Sequence, residues 1–172
     1  MQQSESVQFI TISNRKTFAF FRWLVLVLLA LVAADIALSF LPGSLGDIAE
    51  NHYVAFASAA ILLLLLFLRI NYFFYDDSYE ILHIRSKGLW FMGVGEDINK
   101  RYDFPKRKVT DFRIEKTFLH RTLYLTLDNY ASETRKTRSV DISFLKDEEI
   151  DRLQTSLERI VAKNQVLADR GE

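Results

Sequence analysis

The sequence predicts an α+β membrane protein: a two-helix transmembrane hairpin, then a small antiparallel β barrel or sandwich capped by a C-terminal helix. Two long apolar stretches lie within the first 75 residues, hydrophobicity alternates after residue 76, and an amphipathic segment begins near residue 147. Apolar runs of about 20 residues match a bilayer core, whereas alternation is typical of strands. We therefore divide the chain into a tail (1–17), a hairpin (18–75), a domain (76–165) and a second tail (166–172).

The first predicted span covers residues 18–41. Residues 23–41 are apolar except for Asp35 and Ser39, and basic residues precede them. A signal peptide is the alternative, but its apolar region is usually only about 7–15 residues long. We expect a retained helix that ends at Pro42, because proline does not continue a helix.

The second predicted span covers residues 53–75. Residues 54–68 contain no charge, glycine or proline, and the aromatic residues that follow are interpreted as an interfacial belt. The connection between the spans carries Asp47 and Glu50 but no lysine or arginine, whereas both outer flanks are basic. By the positive-inside rule, both termini are expected in the cytoplasm.

Asp35 is the only ionisable residue well inside a predicted span. One hypothesis is a proton or ion relay, because carboxylates within a membrane are costly and often functional. The alternatives are that Asp35 reaches the polar headgroups or forms a polar contact with a partner helix.

The domain after residue 76 is predicted to contain six strands and one helix. The strands are expected at residues 78–85, 89–94, 98–104, 108–117, 121–128 and 140–144. The helix is predicted from Asp147, where acidic residues suit a helix N-terminus and an apolar stripe follows at spacings of three and four. A strongly bent sheet with a helix over one opening is expected, and a two-layer α+β sheet is the rival.

Two short segments give this domain a family resemblance. Phe104-Pro105 ends one predicted strand, and Lys108-Val109-Thr110-Asp111-Phe112 begins the next. With the Leu-x-Leu-x-Leu strand and the closing helix, this order resembles bacterial pleckstrin-homology-like membrane proteins. The resemblance implies a seven-stranded barrel-like sandwich used for binding, in a multi-pass protein of the bacterial inner membrane. The seventh strand is expected from residues 89–104 or 130–138.

The sequence offers no catalytic constellation. Cysteine is absent, and the histidines, at positions 52, 83 and 120, lie apart without metal-ligand spacing. Lysine plus arginine balances aspartate plus glutamate at 22 each, which gives no bulk charge for nucleic acid. We expect no enzyme activity, cofactor, metal or nucleic-acid partner.

A basic cluster at a strand junction is the candidate binding site. It consists of Lys100, Arg101, Lys106, Arg107 and Lys108. Anionic lipid attracts each nearby basic residue by about 1 kcal/mol, so the cluster could dock the domain on its own membrane. The alternative is that these charges are simply solvated.

Binding is therefore the expected function. We expect a scaffold or small accessory subunit of a larger membrane complex, acting through the pleckstrin-homology-like domain. The alternative is a sensor of anionic lipid at the membrane surface that uses Lys106–Lys108. Membrane lipids and either integral membrane proteins or further copies of this chain are the expected partners.

Overall fold

The structure is a computed structural model that describes residues 9–40, 52–68, 70–88, 99–118, 120–129 and 134–169. In chain order the elements are β1 (Thr11–Ser13), α1 (Arg15–Ser39), α2 (Tyr53–Phe67), β2 (Asn71–Asp76), β3 (Ile81–Gly88), β4 (Asn99–Pro105), β5 (Val109–Lys116), β6 (Arg121–Asn129), β7 (Thr134–Asp141) and α3 (Asp147–Asp169). A 3₁₀ turn at Lys106–Lys108 joins β4 to β5. The chain is thus α+β, with antiparallel strands and a C-terminal helix, as predicted.

The chain divides into two compact units. One combines Met1–Arg15 with Asn71–Glu172 and holds the strands and α3, and the other is Lys16–Ile70. The predicted boundary at residue 76 therefore falls at the end of β2, and the sheet unit is discontinuous in sequence.

The strands of the described residues form two antiparallel sheets. Sheet A has the order β1-β2-β3-β4, and sheet B has the order β5-β6-β7. No pairing joins the two sheets in this part of the chain, so the closed barrel that was one predicted form is not seen. The observed arrangement is two separate sheets.

Both sheets and α3 share one hydrophobic core. Alternate residues of each strand face inward, as the period of two in a strand requires. Fully buried examples are Phe73 and Tyr75 in β2, Leu82 in β3, Leu123 in β6 and Leu157 in α3. Leu153 and Ile160, in the apolar stripe of α3, are also buried in this core. This confirms the predicted amphipathic helix.

The aromatic segment at residues 71–75 is part of a strand. The sequence analysis placed it in the second span, but α2 ends at Phe67 and β2 runs from Asn71 to Asp76. Phe73 and Tyr75 are buried, so the aromatic residues fill the core of the sheet unit. The prediction of a helix to residue 75 was wrong.

The N-terminal segment is also more ordered than predicted. Thr11–Ser13 pair with β2, so that Ser13 lies opposite Phe74 and Thr11 opposite Asp76. Asn14 extends this pairing, because its side-chain carbonyl accepts the Phe73 amide at 2.8 Å and its side-chain amide donates to the Asn71 carbonyl at 2.8 Å. The predicted loose tail (1–17) therefore contains an edge strand.

Two further boundaries shift. Strand β7 begins at Thr134 and ends at Asp141, whereas residues 140–144 were predicted. Helix α3 continues to Asp169, beyond the predicted domain end at 165. The predicted strand at 89–94 and the connection between the spans at 41–51 lie outside the described residues.

The helical unit carries mostly exposed apolar side chains. Helix α1 has 25 residues and is long and apolar enough to cross a membrane, whereas α2 has 15 residues. At 1.5 Å per residue, α2 is only about 22 Å long, shorter than a bilayer core of about 30 Å. Among the residues described, one helix is long and apolar enough to cross a membrane, so the predicted two-helix transmembrane hairpin is not shown.

Candidate functional site

One residue of the predicted basic cluster, Lys106, is hydrogen-bonded within the fold. Lys106 lies in the 3₁₀ turn between the sheets, and its ammonium donates to the backbone carbonyl of Asp77. It also lies 5.7 Å from the ring centroid of Phe9. Burial lowers the pKa of Lys106 from its usual value, although the negative charges of Asp77 and Glu80 oppose this shift. Lys106 therefore stabilises the junction of three chain segments.

Asp77, directly after β2, is a fully buried carboxylate. Its Oδ1 accepts the Ile10 amide at 2.5 Å, and its Oδ2 accepts Arg159 Nη2 at 2.8 Å and the Ser156 hydroxyl. These partners come from the N-terminal segment and from α3. A buried charge is tolerated only when it is paired and hydrogen-bonded, and Asp77 meets both conditions. The carboxylate joins three distant parts of the sheet unit.

Tyr75 extends this network by one hydrogen bond. Its hydroxyl lies 2.8 Å from Ser156 Oγ. Because Ser156 donates its proton to Asp77, its oxygen accepts from Tyr75, and the bonds run in one direction toward the carboxylate. Burial raises the pKa of Tyr75 well above its usual value, so the phenol stays protonated and keeps donating. The network is built for stability, because every described polar atom in it is satisfied within the fold.

The other four predicted basic residues are spread over different surroundings. Arg101 Nε donates to Asp103 Oδ2 at 2.7 Å on the exposed side of sheet A. Lys100 directly precedes Arg101 in β4 and is paired across the sheet with Ser86, which is buried. Arg107 is exposed, and Lys108 is half-buried in the 3₁₀ turn. The five residues therefore differ in exposure and in hydrogen-bond partners.

A cleft of about 480 Å³ lies beside the strand junction. Lys106, Arg107 and Lys163 supply its cations, and Phe9 and Tyr79 supply aromatic surface. Asn164 fixes its helical wall by donating to the carbonyls of Lys106 and Val109, at 2.8 and 2.7 Å. Glu80 also lines this cleft, so its charge is mixed.

Comparison with known proteins gives no family. No protein-family model, curated protein or solved structure matches the chain. The function must therefore be argued from the geometry.

Asp35 has a partner that the sequence analysis missed. Its Oδ2 lies 2.8 Å from Nδ1 of His52, the residue before α2, and the Asp35 side chain is buried. His52 adopts a left-handed backbone conformation with φ of 49°, which is uncommon outside glycine. The pair links the end of α1 to the start of α2. The predicted polar contact of Asp35 is thus made within this chain.

His83 is also paired. Its Nδ1 lies 2.6 Å from Asp103 Oδ1, across β3 and β4. The hydrogen bond from His83, followed by that from Arg101, holds the pKa of Asp103 below its usual range. The two histidine pairs join residues 17 and 20 positions apart, so no local motif could have revealed them.

Two exposed cations on sheet A were not predicted. Arg85 lies opposite both Phe74 and Arg101, and Lys87 lies opposite Tyr72. Neither Arg85 nor Lys87 has an ion-pair partner in the part of the chain that the structure describes. Within the same residues, no group of three or more histidine, aspartate or glutamate side chains could hold a metal ion.

Proposed function

We propose that this protein is a membrane-anchored binding protein, a scaffold or small accessory subunit of a larger membrane complex. Its sheet unit acts as a pleckstrin-homology-like binding domain on the cytoplasmic side of a bacterial inner membrane. The pairing of β1 with β2 across the helical segment is the observation that supports this proposal best.

That pairing constrains the path of the chain. Ser13 and Phe74 are paired neighbours in sheet A, and α1 begins two residues after Ser13. The segments before α1 and after α2 must therefore lie on the same side of any membrane. If α1 crosses the bilayer, the chain has to cross back before Asn71. The return crossing uses α2, whose short length requires local thinning of the bilayer.

The exposure of the helices supports the same topology. Trp23, Leu64 and Phe67 are exposed by 68, 59 and 78%. Large continuous apolar surfaces are rare on soluble monomers and are typical of lipid or protein contacts. Helix α1 is long enough for the thickness of a bilayer, and its N-terminal part carries Arg15, Lys16 and Arg22.

The strand arrangement supports a pleckstrin-homology-like domain. A four-stranded and a three-stranded antiparallel sheet precede a C-terminal helix, which is the layout that the resemblance implies. Strand β7 covers residues 134–141 and so overlaps the second of the two places expected for a seventh strand, 130–138. Strands β1 and β2, before residue 77, complete the set.

Single-cysteine labelling tests the membrane topology. The chain has no cysteine, so each variant carries one unique thiol. We compare Phe9→Cys and Tyr79→Cys, in the sheet unit, with Ser44→Cys between the helices, using a membrane-impermeant maleimide on intact cells. Labelling of Ser44→Cys alone, with the other two reacting only after permeabilisation, is expected. Equal labelling of all three would contradict the hairpin.

Crosslinking then tests the accessory-subunit role. After crosslinking and purification in mild detergent, mass spectrometry should recover integral membrane proteins in stoichiometric amounts. Recovery of this protein alone, or of its dimer, would contradict the proposal. Two variants separate partner binding by the exposed surface from an effect on folding. Phe56 is 70% exposed, so Phe56→Ala tests the surface, whereas Ser156 is buried, so Ser156→Ala tests the fold.

Recognition of anionic lipid is the second candidate function. Arg85, Lys87 and Arg101 lie on one exposed side of sheet A, while Lys106 is engaged by Asp77. This distribution favours the sheet face over the strand junction around Lys106–Lys108. Neutralising Arg85 and Lys87 should then reduce the protection that anionic lipid gives to the backbone amides of sheet A against hydrogen exchange. The reduction should be larger than that caused by Lys106→Gln.

A further inference from the structure

The hairpin between β5 and β6 carries the most exposed large apolar side chain of the described residues. Phe118 is 96% exposed, and the Thr117 amide donates to the His120 carbonyl at 2.8 Å to close the hairpin. Exposing a whole phenyl ring to water forgoes roughly 2 kcal/mol of burial. A ring at the tip of a hairpin, away from the core, is positioned to enter an apolar phase.

A cleft of about 340 Å³ lies beside this ring. Its cations are Lys116, Arg121 and Lys146, and Asp147 is its acidic residue. Asp147 Oδ1 accepts Arg121 Nη1 at 2.5 Å. Lys116 and Lys146 are exposed and have no ion-pair partner within the described ranges. Three cations against one carboxylate leave the cleft with excess positive charge.

His120 supplies a second, independent observation. It lines the cleft, and its Nδ1 is buried without a hydrogen-bond partner among the residues described. Buried polar atoms are nearly always paired, so an unpaired one requires an explanation such as a water molecule or a bound ion. A phosphate oxygen would accept hydrogen bonds from an imidazole N–H and from the neighbouring lysines.

This cleft is tied to the point where the chain enters the sheet unit. Asn71 Nδ2 donates to Asp141 Oδ2 at 3.0 Å, and Asp141 Oδ1 accepts the Ser143 amide at 2.9 Å. Ser143 lines the cleft, and its hydroxyl accepts the Arg121 amide at 2.9 Å. Asn71 follows the end of α2 by four residues, which span at most about 14 Å.

We propose that the β5–β6 hairpin is a membrane-docking element: Phe118 enters the bilayer interface while Lys116, His120 and Lys146 bind the phosphate of an anionic lipid. This inference rests on the proposed membrane anchoring. The occupant is the bilayer in which α1 lies, because the cleft combines positive charge with an exposed apolar ring and is linked by hydrogen bonds through Asp141 to Asn71, the first residue of β2. Free inorganic phosphate could bind the same cations, but it has no apolar part that would contact the ring of Phe118.

Spin labels on single-cysteine variants of the full chain in nanodiscs test this inference. The variant Phe118→Cys probes the hairpin, Tyr79→Cys is a matched exposed aromatic position after the other end of β2, and Leu29→Cys probes α1. Accessibility to oxygen relative to a nickel chelate reports the depth of each label. In nanodiscs with anionic lipid, labels at 29 and 118 should favour oxygen, whereas the label at 79 should favour nickel.

Charge variants locate the site. Lys116→Gln with Lys146→Gln should move the label at 118 into water, with a loss in partitioning of roughly fivefold per lysine. Lys136→Gln with Arg152→Gln, two exposed cations that do not line this cleft, is the matched control and should leave the label at 118 in place. The reverse outcome would overturn the assignment to this cleft.

The outcomes separate this inference from the proposed function. A water-exposed label at 29 would overturn the membrane anchoring itself. A label at 29 in lipid with a label at 118 in water would overturn only the docking element. If inorganic phosphate shifts the NMR signals of His120 while anionic lipid leaves the label at 118 in water, the cleft is a soluble-phosphate site and the lipid proposal fails.

Discussion

Oδ2 of Asp77 lies 2.8 Å from Nη2 of Arg159, and this ion pair joins the end of β2 to the last helix across 82 residues. The carboxylate is fully buried, whereas the arginine is 41% exposed. Breaking the pair therefore costs more free energy at the aspartate than at the arginine, because the buried carboxylate has no access to water if its partners are lost.

Replacing Asp77 by alanine should destabilise the fold strongly. The Ile10 amide and the Ser156 hydroxyl would lose their acceptor, and Arg159 would lose its counter-charge. We expect a loss of about 3 kcal/mol in the free energy of unfolding. Thermal unfolding of the full chain in mild detergent measures this. Asp151→Ala, at an exposed position of α3, is the control and should change stability by less than about 0.5 kcal/mol.

Asn14→Leu should weaken the attachment of β1. The buried side chain of Asn14 accepts the Phe73 amide and donates to the Asn71 carbonyl, and leucine can do neither. A loss of about 2 kcal/mol and faster amide hydrogen exchange in β1 and β2 are expected. Gln154→Leu removes an amide from an exposed helical position and serves as the comparison. Unchanged exchange in β2 would contradict the role of Asn14.

Asp35→Ala and His52→Ala should not be additive. Their side chains lie 2.8 Å apart in the helical unit, so each single change removes the same hydrogen bond. In a double-mutant cycle on thermal unfolding in detergent, we expect a coupling energy of about 1 kcal/mol. If the two effects simply sum, the pair contributes nothing to the helical unit, and the relay hypothesis for Asp35 regains weight.

Acid should weaken the β1–β2 edge through Asp76. Burial raises the pKa of Asp76, but the hydroxyl and amide of Ser78 and the hydroxyl of Thr11 outweigh it, so the pKa falls below its usual 3.8. A carboxylate with a lowered pKa stabilises the fold above about pH 3.8, and this contribution disappears as the pH falls through the folded-state value. Melting temperatures between pH 2 and 6 (roughly the range in which carboxyls titrate) should drop less steeply for Asp76→Asn than for the native chain. Asp151→Asn should show the native slope.

Sequence patterns located much of the sheet unit. Strands β4, β5 and β6 lie within one or two residues of their predicted places, and α3 begins at Asp147 as predicted. Hydrophobic alternation and first-turn acids are local signals, so one sequence is enough to find them.

Strands β1 and β2 lacked such a signal, whereas the predicted strand 78–85 begins three residues before β3 and the predicted strand 140–144 extends three residues beyond β7. In β2 both faces are aromatic: Phe73 and Tyr75 are buried and Tyr72 and Phe74 are half-buried, so the alternation is hidden. Such a segment after an apolar helix has the same composition as an interfacial belt. Strand β1 has only three residues, and the first half of β7 is polar and exposed.

The candidate site was harder to predict than the fold. The partners of Asp35, Asp77 and Lys106 lie between 17 and 82 residues away, and only the fold brings them together. The cluster of basic residues in the sequence therefore does not indicate which side chain is exposed to solvent and which one is hydrogen-bonded inside the fold. Phe118 and Leu119 form a short apolar pair between polar residues, and the exposure of Phe118 depends on the hairpin that presents it.

The insertion of the helical segment between β1 and β2 sets the order in which the protein can be completed during synthesis. Strand β1 leaves the ribosome first, yet its partner follows only after both helices have been made. Until then β1 has no neighbour, and a fragment that starts at Asn71 presents the edge of β2 without its cover, open to pairing with other chains. Sheet A can therefore be completed only after the whole helical segment has been synthesised.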